Sequence, residues 1–186
     1  MTTIVLETDF EMPASREVLH GLEKTTAWCM SIYGVEPKLH YLSKDGLRLV
    51  CVFTAPDAES LRQSVRQAGL EPPRSMWSST VHDPPGTVAT DVPSLIENGF
   101  NLSIVERSFG APVEFDEIQV IEDQAASCLE LHRVRFVRTY FSFDRRRMLC
   151  LYEAPDAESV RIANREAGLP FERVWAAQIV LPAPKD

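Results

Sequence analysis

Cys51-Val52-Phe53-Thr54-Ala55-Pro56-Asp57-Ala58-Glu59-Ser60 decides the fold, because the chain writes it again, 99 residues on, as Cys150-Leu151-Tyr152-Glu153-Ala154-Pro155-Asp156-Ala157-Glu158-Ser159. From Cys51–Leu70 to Cys150–Leu169, twelve of twenty positions are identical without a gap. A repeat of that fidelity means one ancestral unit copied and fused. Working outward, Val50–Phe53 and Met148–Tyr152 are apolar without alternation, the pattern of a strand buried on both faces. Ala-Pro-Asp ends each strand, Asp57 is a good N-cap for the helix that follows, and Gly69 and Gly168 supply its left-handed stop.

Upstream, Thr3–Thr8 and Leu102–Arg107 read as first strands, and Pro13 and Pro112 open helical stretches. Leu19, Leu22, Thr26, Cys29 and Met30 share one helical face, as do Ile118, Ile121, Ala125, Cys128 and Leu129. Glu36–Ser43 and Leu47–Thr54 form a hairpin through Asp45-Gly46, a dipeptide that favours a type I′ turn. The second copy has Asp144-Arg145 there, which leaves its turn open. Arg74–His82 and Arg173–Leu181 are the fourth strands. Each copy is therefore β-α-β-β-α-β, the ferredoxin-like order. The fold class expected is α+β: two tandem ferredoxin-like repeats, 1–84 and 101–186, joined by a linker over 85–100 with a short turn around Pro93–Glu97. Packed sheet to sheet, they would make an intramolecular dimeric α+β barrel, burying the second face of the third strands.

A net charge of −8 disfavours nucleic acid and anionic membranes, both of which need a basic surface. No run approaches the ~18 apolar residues of a membrane span, and the N-terminus lacks signal-peptide character, so a cytoplasmic protein is expected. Four cysteines without a C-x-x-C pair read as reduced thiols. There is no phosphate loop, G-x-S-x-G, H-E-x-x-H or dinucleotide fingerprint, so no nucleotide cofactor is expected.

The candidate site starts from the hairpin. If Asp45-Gly46 is a two-residue loop, Lys44 pairs with Leu47 and His40 pairs with Cys51, their Cβ atoms ~5 Å apart on one face. A slip to a Lys44-Asp45 loop would set His40 opposite Leu49 instead. Imidazole and thiolate suit nickel, copper or zinc. The plain alternative is a core histidine hydrogen-bonded to backbone beside an inert thiol. Glu7 and Glu106 interrupt apolar strands in both copies and must be paired, bind a cation, or shift their pKa. Arg48 and Arg147 are the partners expected for a structural ion pair. Tyr41, Tyr140 and Tyr152 are candidate ligand-orienting donors, with Cys150 and Glu153 beside the last. Trp28, Trp77 and Trp175 look unmatched between copies and read as core fillers. His20, His82 and His132 make no metal-type spacing.

Val-Glu in the first strand, a His-Ser-Tyr-like strand, an Asp turn and Cys-x-Tyr-Glu-Ala-Pro-Asp together resemble an uncharacterised family of small, mostly bacterial ferredoxin-like proteins with a described nickel-binding member. The resemblance covers Thr3–His82 and Leu102–Leu181. It implies a ferredoxin-like fold and nickel or another divalent transition metal, with a metal ion or small molecule as partner. The chain departs from the pattern in a complementary way. The first copy keeps His40 but has Phe53-Thr54 in place of Tyr-Glu, while the second keeps Tyr152-Glu153 but has Thr139 in place of the histidine. At most one composite site is expected, with His40 and Cys51 as ligands and Glu7 or a carboxylate of the second half completing the shell. The other readings are a cofactor-free barrel enzyme (monooxygenase, isomerase or cyclase) with His40 as acid or base, and an interaction module that has lost activity. A monomeric pseudo-dimer and a homo-oligomer both remain open.

Overall fold

A computed structural model of the chain describes residues 1–84, 92, 94 and 101–184. The elements are β1 (Thr2–Asp9), α1 (Arg16–Ile32), β2 (Glu36–Ser43), β3 (Arg48–Ala55), α2 (Ala58–Gln67) and β4 (Ser75–His82), then β5 (Leu102–Ser108), α3 (Phe115–Gln124), α4 (Ala126–Leu131), β6 (Arg135–Ser142), β7 (Arg147–Glu153), α5 (Ala157–Glu166) and β8 (Arg173–Val180). The linker and turn expected over 85–100 lie outside the described residues, Val92 and Ser94 apart. Hydrogen-bonded strands follow the order β1-β3-β2-β8-β5-β7-β6-β4, a closed antiparallel barrel. By contacts the chain divides into Met1–Ser79 with Gln178–Asp186, and Thr80–Ala177, so the divisions fall inside β4 and β8. Each unit is described by itself.

In the first unit β3 lies between β1 and β2, with Leu6 opposite Cys51 and His40 opposite Cys51. Alternation along the strands sends Ile4, Leu6, Cys51 and Phe53 to the helices, where they meet Leu19 of α1 and Leu61 and Val65 of α2 in one apolar cluster. Val5, Glu7, Tyr41, Val50 and Val52 point to the other face and are buried too. Both faces of β3 are dry, which is why its sequence does not alternate. The second unit repeats this plan, with Val105, Cys150, Tyr152, Ile118, Val160 and Ala163 forming the helix-side cluster.

Local chemistry explains the boundaries. Ser15, not a proline, caps α1, its hydroxyl accepting from Val18 N–H at 3.4 Å, and Pro13 lies in the lead-in. Asp57 and Asp156 each accept the N–H three residues on at 2.7 Å, worth about 1 kcal/mol apiece. Gly69 and Gly168 stop α2 and α5 with φ of 67° and 68°. The second unit's long helix is broken at Ala125, whose N–H is shared between the Ile121 and Glu122 carbonyls.

The β2–β3 turn differs from the type I′ expected. Positive φ is found at Gly46 (74°) but not at Asp45, so the two-residue I′ loop does not form. The turn is closed by Gly46 N–H on the Ser43 carbonyl, and Asp45 is fixed by Ser43 Oγ and Leu47 N–H. The second copy builds the same lock from Ser142 and Asp144, with Arg145 at φ 59° in the place of Gly46. The register His40 opposite Cys51 nevertheless stands.

One correspondence is absent from the 99-residue alignment. Val5 faces Trp77 and Ile104 faces Trp175, so β8 sits one residue out of step with β4. The connection before β8 is one residue shorter, and the two tryptophans match at a spacing of 98. They are equivalent residues rather than unmatched fillers.

His82, at the end of β4, stacks on Phe115 with ring centroids 3.7 Å apart, and its Nε2 lies 2.8 Å from Thr80 Oγ1. Burial pulls its pKa down, opposed by the charges of Asp116 and Asp83. A depressed folded pKa means the unfolded chain takes the proton first. His82 thus contributes stability above about pH 6.5 that is lost as the pH falls from there through its folded pKa. In thermal melts His82→Phe is expected to flatten this acid-side slope; an unchanged slope would assign it elsewhere.

Candidate functional site

The strands bring His40 and Cys51 together and leave Glu7 out. Because Glu7 pairs with Val50 and Cys51 with His40, the carboxylate and the His–Cys pair occupy opposite faces of the sheet. Glu7 therefore cannot complete a shell with them. It is held by Arg74, by Ser75 Oγ at 2.6 Å and by Trp77 Nε1 at 2.8 Å, so its cation is Arg74 of β4's approach rather than Arg48. Glu106 receives Trp175 Nε1 at 2.8 Å, the counterpart of the Trp77 bond. Both buried carboxylates thus have hydrogen-bond donors in place, as buried polar groups require.

The carboxylate that does meet His40 is Glu23, on α1. His40 Nε2 lies 2.7 Å from Glu23 Oε1, and the other carboxylate oxygen accepts Ala183 N–H at 2.7 Å. Burial works to raise the Glu23 pKa, but the bonds from His40 and Ala183 outweigh it and hold the carboxyl below its ordinary range. An ionised carboxylate only accepts, so His40 Nε2 carries the proton. His40 is 3% exposed, and its Nδ1 is buried without a partner among the described residues. Leaving it unpaired costs about 1–3 kcal/mol. Burial, reinforced by the charge of Glu23, pushes the Cys51 thiol far up, so it rests protonated.

The second unit answers the same positions differently. Glu122, 99 residues after Glu23, is met by Tyr152 OH at 3.1 Å and by Arg107 Nη2 at 3.9 Å. Arg107 occupies the place of Thr8 and also donates to Asn164 Oδ1 at 2.6 Å and to the Pro170 carbonyl. Burial raises the Glu122 pKa, and Arg107 and Tyr152 pull part of that back. Burial likewise raises the Cys150 thiol and the Tyr152 phenol. Here a fixed guanidinium neutralises the helix carboxylate. In the first unit the groups facing it are imidazoles.

Tyr41 and Tyr140 are fully buried on the face away from the helices. Tyr152 lies on the helix side, within the Arg107 cluster. Glu153 ends β7 and pairs with Arg135, whose Nε is 2.8 Å away, beside a shallow groove lined by Leu129, Val134 and Phe136. Within each unit, therefore, the candidate residues fall into separate places rather than one cluster. Glu23, Glu122 and Arg107 escaped the sequence reading. The available signal was an acid retained in both copies within an otherwise apolar helical face. Among the described residues, no three His, Cys, Asp or Glu side chains are already arranged to hold a metal ion, and no helix is long and apolar enough to cross a membrane.

Residues 104–176 match the family model described as nickel responsive protein SCO4226-like. The match lies in the second unit and stops short of the segment that carries His40. No curated protein matches the chain. Among solved structures, one described as "putative chlorite dismutase TA0507" is 13% identical, with a TM-score of 0.52, covering 96% of this chain and 94% of its own. A mutant chlorite dismutase from Candidatus Nitrospira defluvii, in complex with cyanide, is 10% identical with a TM-score of 0.50, covering 95% and 89%. At such identities the likeness is one of fold: an α+β barrel.

Proposed function

We propose that the first unit binds a nickel-type divalent ion through His40 Nδ1 and Cys51 Sγ, with Glu23 positioning the imidazole. The observation that carries this reading is the buried, unpartnered Nδ1 of a histidine whose other nitrogen is already fixed by a carboxylate, on the same face as a thiol. That is how metal-ligating histidines are oriented, with the outer carboxylate setting the tautomer. The family's nickel response supports it, as does the contrast between units: Arg107 places a permanent cation where the first unit keeps none. Since Cys51 rests as a thiol, loading releases a proton. This reading takes the chain as two ferredoxin-like repeats fused in tandem, supported by the 99-residue sequence repeat and the element order of each unit.

The Glu23–His40 dyad also has the form of a general base with its orienting acid, the arrangement a cofactor-free enzyme would use. At 3% exposure, however, His40 suits a single ion better than an organic substrate. Calorimetric titration of the reduced, metal-free protein with Ni(II) is expected to show saturable binding with proton release. His40→Ala and Cys51→Ala should abolish it, Glu23→Gln should weaken it about 10–100-fold, and Glu7→Gln should leave it intact. Binding indifferent to His40→Ala, or no binding at all, would overturn the reading.

A further inference from the structure

We infer that the segment after β8, Leu181–Ala183, is a strap that gates access to His40 and Cys51. The inference takes its ion from the metal reading above, but the gate itself stands on separate geometry. Val180 ends β8 inside the apolar cluster of the first unit. Beyond it the chain crosses α1 on two polar contacts, His20 Nε2 on the Leu181 carbonyl at 3.0 Å and Ala183 N–H on Glu23 Oε2 at 2.7 Å. Leu181 is 49% exposed, and Pro182 and Ala183 are only half-buried, so apolar burial adds modestly to these two bonds. A segment attached by a couple of hydrogen bonds opens locally, far more often than the fold unfolds.

The anchor is shared with the site. One carboxylate holds the strap on one oxygen and His40 on the other, so the lid is tied to the group that orients the ligand. In the second unit the segment after β4 is secured otherwise. Asp83 takes Arg138 through two parallel bonds of 2.6 and 2.9 Å, a bidentate fork rather than a single bond. The residue 98 positions before Ala183 is Pro85, which has no N–H to donate. The releasable anchor thus belongs to the unit with the unpartnered histidine, and the permanent one to the unit whose carboxylate is already neutralised. A gate of this kind changes how fast an ion arrives and leaves, with little effect on how tightly it is held.

Two variants test it: Ala183→Pro, which deletes only the donor, and a chain ending at Val180. Each is read first by the rate at which a small alkylating reagent modifies Cys51, followed by peptide mass spectrometry so that the other cysteines do not interfere. Ni(II) association and dissociation rates in stopped flow are the second measurement. Ala183→Pro is expected to raise the Cys51 rate about tenfold, the effect of losing one charge-assisted hydrogen bond from the closed state, and the shortened chain, which loses both anchors, by at least as much. Both nickel rates should rise by a similar factor, with Kd nearly constant. A Cys51 rate unchanged in both variants would overturn the gate, whatever nickel does. Faster alkylation in a protein that binds no nickel would uphold the gate and sink the metal reading.

Discussion

Arg107→Met is expected to destabilise the protein by about 3–5 kcal/mol, the usual consequence of removing one partner from a buried ion pair. The methionine fills similar space, so the loss is polar rather than a cavity. Asn164 Oδ1, Tyr152 OH and the Pro170 carbonyl lose their donor, and Glu122 keeps only the Tyr152 hydroxyl to set against burial. The Glu122 carboxyl, already raised by burial, rises further. For an acid with a raised folded pKa, stability is intact below the unfolded value, about 4.3, and is lost as the pH climbs through the folded one. The defect should therefore be larger at neutral pH than near pH 4. Adding Glu122→Gln should recover part of it, with a coupling of about 0.5–3 kcal/mol. Chemical denaturation of the four proteins at two pH values checks both claims, and strictly additive losses would show that the two side chains do not interact.

The second large effect is expected at a turn. Gly46→Val should cost about 3 kcal/mol, and Gly46→Ala about 2. A side chain at φ 74° costs about 1–2 kcal/mol by itself. A Cβ there would also stand 2.7 Å from the Ala14 carbonyl oxygen, a backbone atom tied in turn to Gly46 by the Ala14 N–H bond. The mirror experiment, Arg145→Gly, should change stability by less than about 1 kcal/mol, since relief of the left-handed strain is offset by added freedom in the unfolded chain. The Arg145–Glu114 pair it removes is exposed and weighs little. Equal losses at the two positions would mean that the clash with Ala14 is not what selects glycine.

How far the sequence reached can be judged at particular residues. The order of elements and the double burial of β3 and β7 were legible because a repeated apolar run without alternation has few structural meanings. The pairing of His40 with Cys51 was legible too, although the turn assumed in reaching it was of another type: register depends on where the strands pair, not on the dihedrals that join them. The site was read less well. Glu7 drew attention as a charge in a strand, yet strand alternation places it on the far face from His40. Its partners, Arg74 and Trp77, lie 67 and 70 residues away in sequence. Glu23 was passed over because a glutamate in an amphipathic helix is usually solvated. Arg107 was hidden for a different reason, since nothing in the neighbourhood of Thr8 foretells a cation in its counterpart. The kinship of Trp77 and Trp175 needed the strand register, because one deleted residue moves it off the 99-residue spacing.

Thr8 standing where its counterpart is Arg107 bears on how such a protein can evolve. When two identical chains pair, every mutation is made twice, and a change good for one half must be tolerable in the other. A buried arginine introduced into both halves would neutralise Glu122 and Glu23 alike, and His40 would lose its charged neighbour in the same stroke. Writing both halves into a single gene lifts that obligation. One half can settle around a buried arginine while the other keeps an imidazole nitrogen unanswered. Specialisation of this sort is open to a duplicated chain and closed to a homodimer.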